Sequence, residues 1–310
     1  MSWILLATFA QFLNAIVAVL DKYIVSDEQA LPKPFVYAFY SCLLTGSWVV
    51  IFALGLIPGV ASFGVPTFAN VEPPTLEVLA MAFLAAYTFF FALVSMFDAL
   101  KRGDASNVMP IIGAVSAITA FALNYVLLGT ALSENFVVGI ATLTIGTLLV
   151  AQTLPKRAEV LRVVHSGLFF GLHFITMKGL FDTTSFDDGF FWSRLCFVLF
   201  ALSLLLVPAY YSKISGQTAS TSARTGVLVV GTKIVAGIAA FLLLKATDWG
   251  DVAVVQALDG VKFVFIVLIT ALFGQLLPNS VVDRDTRPKE VTRKFLYVAV
   301  IATGYVLLFT

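Results

Sequence analysis

The sequence predicts an all-α polytopic membrane protein, with ten transmembrane helices arranged as two inverted five-helix repeats around a central cavity. Three observations predict this. The chain is 60% hydrophobic and 12% charged, with a mean hydropathy of +0.98, whereas a soluble domain carries about a quarter charged residues. Apolar runs long enough to cross hydrocarbon recur between short polar breaks. A residue pattern from the first half then returns in the second. The net charge of +1 argues against nucleic acid as a partner.

The runs place spans at 3–23, 35–57, 75–99, 105–128, 134–152, 162–181, 188–211, 225–246, 251–275 and 293–309. The first has no basic segment before it and no small-residue cleavage site before Asp21, so it reads as a retained helix. Pro32 and Pro34 precede the second span, Pro73 and Pro74 precede the third, and Pro155 with Lys156 and Arg157 closes the fifth. The glycine- and proline-punctuated stretch between the second and third spans suits an extramembrane loop. Cys42 and Cys196 lie within apolar runs, where each reads as a small packed hydrophobe, and no disulfide framework or metal-ligand spacing is present.

The ninth span carries Gln256, Asp259 and Lys262 near its middle. At about 100° per residue they fall on one side of the helix. An ion in hydrocarbon costs at least about 2.5–3.5 kcal/mol, so such residues face a bundle interior or a wet cavity. Asp259 and Lys262 are i, i+3 neighbours and can pair along one face. They read either as a self-neutralising pair or as contacts for substrate or a coupling proton. Lys233 sits mid-span in the eighth helix with no acidic neighbour on that helix. It needs a partner across the bundle, and Asp259 is the expected one by depth. Two lysines against one aspartate make a net positive patch, which favours an anionic group on the substrate, provided that both lysines keep their protons.

His173, within the sixth helix, reads either as a core histidine bonded to a neighbouring helix carbonyl or as a group for proton coupling. His165 near a helix start reads as interfacial. Gln11, Asn14, Tyr87, Asn107, Asn124 and Tyr125 add uncharged polar groups, for which interhelical hydrogen bonds are the ordinary explanation. Arg194 with Trp192 reads as an interface anchor, and Lys22 and Lys178 as snorkelling anchors at helix ends. The 29 phenylalanines are ordinary lipid-facing surface and do not identify a substrate. No phosphate loop, nucleophile elbow or hydrolytic carboxylate pair appears, so the chain does not read as an enzyme and no cofactor is expected.

Residues 99–113, ALKRGDASNVMPIIG, align with residues 246–260, ATDWGDVAVVQALDG. Ala99, Gly103, Asp104, Val108 and Gly113 meet Ala246, Gly250, Asp251, Val255 and Gly260. A weaker echo joins VLDKYI around Lys22 to TMKGLF around Lys178, and VVGIATLTIGTLLVA resembles FLYVAVIATGYVLLF. This divides the chain into repeats at 1–153 and 160–310. Five spans per repeat is an odd number, so the second repeat enters the membrane from the opposite side.

With these repeats, a GDAS-type start to the fourth helix and LLGTALSENFVVGIATLTIGTLLV after it, the chain resembles the drug/metabolite transporter superfamily, in its EamA-like ten-helix branch. Glu134 matches the recurrent glutamate before the last helix of a half, and Gly139 and Gly146 the glycines that follow. Glu290 and Gly304 are the counterparts in the second half, displaced by a longer loop. Pro110 matches a proline of the fourth helix, whose repeat position here is Ala257. The resemblance implies alternating-access transport of a small metabolite. It also implies a cavity lined by the third, fourth, eighth and ninth helices with the first and sixth. On that implication Asn14 and Tyr87 join Gln256, Asp259, Lys262, Lys233 and His173 as candidate substrate-binding residues.

The expected partners are therefore a small-molecule substrate and the lipid bilayer, with the proton a candidate coupling ion and the chain a monomer in the inner (cytoplasmic) membrane. Lys and Arg crowd the side opposite both termini, which puts the termini outside, whereas the resemblance implies termini in the cytosol. Two rival readings remain at this point: a lipid or lipid-phosphate translocase or scramblase, and a non-transporting membrane binding protein.

Overall fold

Helices are the regular structure of the chain, and no strand occurs among the described residues. In hydrocarbon every backbone N–H and C=O must find a partner within its own segment, which a helix provides. The computed structural model describes residues 2–26, 33–60, 64–103, 105–129, 132–151, 157–220, 222–273 and 288–309. Most of the long basic connection between the last two spans, and Asp104 in the repeated motif, lie outside them.

Helix α1 runs Ser2–Ser26, and α2 runs Pro34–Gly46 before tightening into a 3-10 helix over Ser47–Leu56. Then come α3 (Leu76–Arg102), α4 (Ala105–Leu127), α5 (Glu134–Val150) and α6 (Arg157–Thr183). The second half holds α7 (Phe186–Leu204), α8 (Pro208–Ser220), α9 (Ala223–Trp249), α10 (Val252–Ala257), α11 (Val261–Phe273) and α12 (Pro288–Leu307). Local chemistry sets the starts. Thr75, Ser133, Ser185, Ser222 and Asp251 each cap a helix by accepting a backbone N–H within its first turn.

Among the described residues seven helical stretches are long and apolar enough to cross a membrane, so the chain is a multi-pass membrane protein. They are α1, α2 with its 3-10 extension, α3, α4, α6, α9, and α10 with α11. Two expectations change here. The run 188–211 is not one straight helix: α7 and α8 meet at a bend of 96°, because Pro208 disfavours helical geometry in the residue before it. The run 251–275 is interrupted by a 3-10 turn over Leu258–Gly260, which carries Asp259 between α10 and α11. The apolar helices α5 and Leu296–Leu307 are shorter than these seven stretches.

Packing pairs the elements reciprocally. α1 lies along α9 and α11, whereas α6 lies along α3 and α4, and α5 pairs with α12. The α5–α12 seam is close because a Cβ on Gly304 would stand 2.8 Å from the Leu143 backbone nitrogen, and one on Gly146 2.8 Å from Ile301 Cγ1. The loop after α2 is strapped over the start of α7. Asn70 Nδ2 donates to Asp187 Oδ2 at 2.8 Å, the Glu72 N–H to Asp188 Oδ1 at 3.1 Å, and Trp192 Nε1 to the Glu72 carbonyl at 3.0 Å.

Candidate substrate cavity

A cavity of about 190 Å³ opens between α1, α2, α3, α4, α6, α9 and the α10–α11 segment. Most of its wall is apolar, with Phe89, Leu93 and Met96 from α3 and Phe170 and Phe174 from α6. The polar groups converge from three sides.

On the α1–α9 side, Lys233 Nζ donates to Asp21 Oδ1 at 2.8 Å, and both side chains are buried. The Tyr37 hydroxyl of α2 donates to the same Asp21 oxygen. The ammonium also stands over the Tyr37 ring at 4.4 Å and the Phe97 ring at 5.3 Å, so cation–π contact replaces part of its lost hydration. On the α10–α11 side, Lys262 Nζ donates to both carboxylate oxygens of Asp259, at 2.8 and 2.9 Å. Next to it Gln256 accepts from Ser116 Oγ of α4 at 2.9 Å. On the α2 side, Ser41 Oγ faces the cavity and, buried as it is, has no hydrogen-bond partner. Gln11 accepts from Asn14 Nδ2 at 3.2 Å, and both residues line the cavity.

The sequence-derived residues separate into two groups. Lys233, Asp259, Lys262, Gln256 and Asn14 come together in this cavity. Tyr87 and His173 do not. Tyr87 is 40% exposed on the outer surface, among the rings of Phe91, Phe169 and Phe200. His173 is buried in the α3–α6 seam, its Nδ1 3.0 Å from the Ala85 carbonyl, with Phe89, Phe174 and Phe197 around the ring.

The expected Lys233–Asp259 pair is replaced by Lys233–Asp21. Asp259 is already held by Lys262 three residues along, so Lys233 takes the carboxylate that α1 brings to its depth. Asp21 therefore also cancels the positive excess expected of the cavity: two lysines now meet two aspartates. Sequence reading passed over Asp21 because it adjoins Lys22 near the end of a span, where charges usually reach water. The two side chains part company. Lys22 Nζ turns to the last turn of α3, donating to the Leu100 and Gly103 carbonyls at 2.9 and 3.1 Å, whereas Asp21 turns inward.

One other expectation is corrected, and several polar residues gain definite partners. Arg194 is no interface anchor: it is 2% exposed, with its guanidinium carbon 4.9 Å and 4.4 Å from the centres of the Phe190 and Phe197 rings. Lys178 is more than a snorkelling anchor, since it pairs with Asp182 at 2.9 Å and donates to the Asp248 carbonyl at 3.2 Å. His165 is held by Ser95 Oγ at 2.8 Å and stacks on Phe169. Asn124 has a definite role as donor to Asp251 Oδ2 at 3.0 Å, which steadies the carboxylate that caps α10. The Asn107 side chain lies outside the described set.

Residues 1–152 match the EamA-like transporter family. Among curated proteins none matches this sequence. A solved crystal structure is similar over 99% of this chain and 96% of its own, with a TM-score of 0.68 and 16% identity, a likeness of fold.

Proposed function

We propose that this chain, whose residues 1–152 match the EamA-like transporter family of the drug/metabolite transporter superfamily, is a secondary transporter moving a small polar metabolite by alternating access through the cavity described above. The observation that carries this reading is the meeting of two ion pairs, the buried Asp21–Lys233 and the partly buried Asp259–Lys262, in the lining of one cavity within the bundle. Charges at that depth are costly unless they serve a wet pathway. Because the four charges balance, selectivity rests on where each sits. An anionic group on the solute competes with an aspartate for Lys233 or Lys262, while Gln256, Asn14 and Ser41 supply neutral hydrogen bonds.

The reading includes ten membrane helices in two inverted repeats, residues 1–153 and 160–310. Two reciprocal features support it. The first helix of each half lies along the third crossing of the other, α1 on α9 and α6 on α3. The lysine near the end of each first helix caps the third crossing of its own half, Lys22 on α3 and Lys178 on α9. The chain works as a monomer in the cytoplasmic membrane, driven by a solute or proton gradient, with the termini outside by the charge bias.

Proteoliposomes holding the purified protein, exposed to radiolabelled metabolite pools, test the proposal. Saturable uptake with counterflow is expected. Flux equal to that of empty liposomes for every pool would overturn it, as would movement of lipid alone or a chemically altered product.

A further inference from the structure

The α1–α9 and α3–α6 seams are counterparts in the repeat, yet they are fastened differently. The α3–α6 seam is sewn by hydrogen bonds: Ser166 Oγ donates to the Ala92 carbonyl at 2.9 Å, His173 Nδ1 meets the Ala85 carbonyl at 3.0 Å, and Ser95 Oγ meets His165 Nδ1 at 2.8 Å. Its ion pair, Arg162–Asp98, stands at a more exposed end. The α1–α9 seam carries the buried Asp21–Lys233 pair, which faces the cavity. On the alignments of Ala99 with Ala246 and Lys22 with Lys178, Lys233 and Asp21 fall on Ala86 and Met177. Both of those are fully buried and apolar. One seam is thus fastened by an ion pair at a depth where its counterpart has hydrocarbon.

The two cavity pairs also differ in what they can sense. Asp259 and Lys262 sit three residues apart, so a rigid movement of the α10–α11 segment carries both together. Asp21 and Lys233 belong to different helices, and Asp21 further ties α2 through Tyr37. Their pair exists only while α1, α2 and α9 stand in this relation. Among the described residues, two side chains bond to Asp21. They are Lys233 from α9 and Tyr37 from α2, while α3 presents the apolar Phe97 to the ammonium. On the α10–α11 segment, which packs on α1, Asp259 and Lys262 also line the cavity and neutralise each other. Lys22, next in the chain, is engaged with the end of α3.

We propose that Asp21 is a proton-binding site that locks and unlocks the α1–α9 seam. A proton taken from one side of the membrane onto the carboxylate converts it to a neutral acid and dissolves the ion pair. The Lys233 ammonium is then left without a counter-ion, ready to meet an anionic group of the solute. When the pair re-forms, the same proton leaves to the other side. One proton enters and one departs, and no other bond is made or broken. As the coupling step of a transporter, this rests on the reading in the preceding section.

Spin labels at Lys33→Cys and Arg224→Cys, exposed positions at the starts of α2 and α9, report the seam in the full chain in nanodiscs. Double electron–electron resonance between about pH 8 and about pH 4 spans the titration of a carboxyl group. The label separation is expected to lengthen as the pH falls. Asp21→Asn is expected to hold the long separation throughout, and Lys233→Met, which strands the carboxylate so that it takes up a proton, to do the same. Asp98→Asn, in the more exposed ion pair of the counterpart seam, is expected to keep the wild-type response. A wild-type separation that ignores pH, or an Asp21→Asn protein that still responds, would overturn the assignment. The liposome flux assay separates the two ideas: flux with an unresponsive seam refutes the proton site alone, whereas a seam that titrates on Asp21 without flux supports the site and refutes transport.

Discussion

Lys233 and Asp21, 212 residues apart in the chain, meet at 2.8 Å with side chains only 6% and 7% exposed. Removing one partner of such a pair strands a charge, which costs about 3–5 kcal/mol, whereas removing both with matched volume is often neutral or better. Asp21→Ala is therefore expected to lower the thermal unfolding temperature in detergent sharply. The double variant Asp21→Asn with Lys233→Met is expected to recover most of that loss. Equal destabilisation by the single and double variants would contradict a net ion-pair role.

Lys262 is held by Asp259, three residues before it, through both carboxylate oxygens. A hydrogen bond to a charged group contributes about 1.5–3 kcal/mol, and each 1.4 kcal/mol is about tenfold in an equilibrium. Lys262→Ala is expected to cut liposome flux by about tenfold or more with insertion intact, and Lys262→Arg to retain part of it. Flux by Lys262→Ala at the wild-type rate would remove Lys262 from the pathway.

Gly113 of α4 lies against the Asp259 carboxylate, and a Cβ there would overlap Asp259 Oδ2. Alanine favours an exposed helix interior over glycine by about 1 kcal/mol, so loss of function in Gly113→Ala would come from the contact and not from the helix. Gly113→Ala is expected to fold, to displace Asp259 and to raise the solute concentration needed for half-maximal flux. An unchanged concentration dependence would show that Asp259 tolerates the shift.

Tyr87 and His173 provide opposite controls. Tyr87→Leu changes an outward-facing ring and is expected to leave flux within about twofold, since surface substitutions usually cost less than about 0.5 kcal/mol. His173→Ala removes the buried hydrogen bond to the Ala85 carbonyl in the α3–α6 seam, at a cost of about 0.5–1.5 kcal/mol. It is expected to lower thermal stability while the solute concentration for half-maximal flux stays the same. A change in that concentration for Tyr87→Leu would return the ring to the pathway.

Much of the architecture and half of the candidate site were legible beforehand. The capping residues, the apolar runs and the mid-span charges are local facts, and Asp259–Lys262 is a pair that helical spacing alone brings together. Pro208 carried a signal for the α7–α8 bend that the length of the apolar run concealed. Arg194 was misplaced and Asp21 passed over for one shared reason: each lies within about two turns of a helix end, where position along the chain says little about depth. Their burial comes from neighbours supplied elsewhere, the Phe190 and Phe197 rings for one and Tyr37 with Lys233 for the other.

From its sequence alone this chain had to be helical and membrane-spanning, because unbroken hydrocarbon leaves the backbone no partner except itself. Which flank of each helix looks inward was decided only by tertiary packing. Lipid and protein interior are equally apolar, so the pattern of hydrophobic residues, which orients a helix in water, has little contrast to work with here. That is why Tyr87 turned outward against expectation, and why the lysine of α9 found its counter-ion in Asp21 on the first helix of the chain.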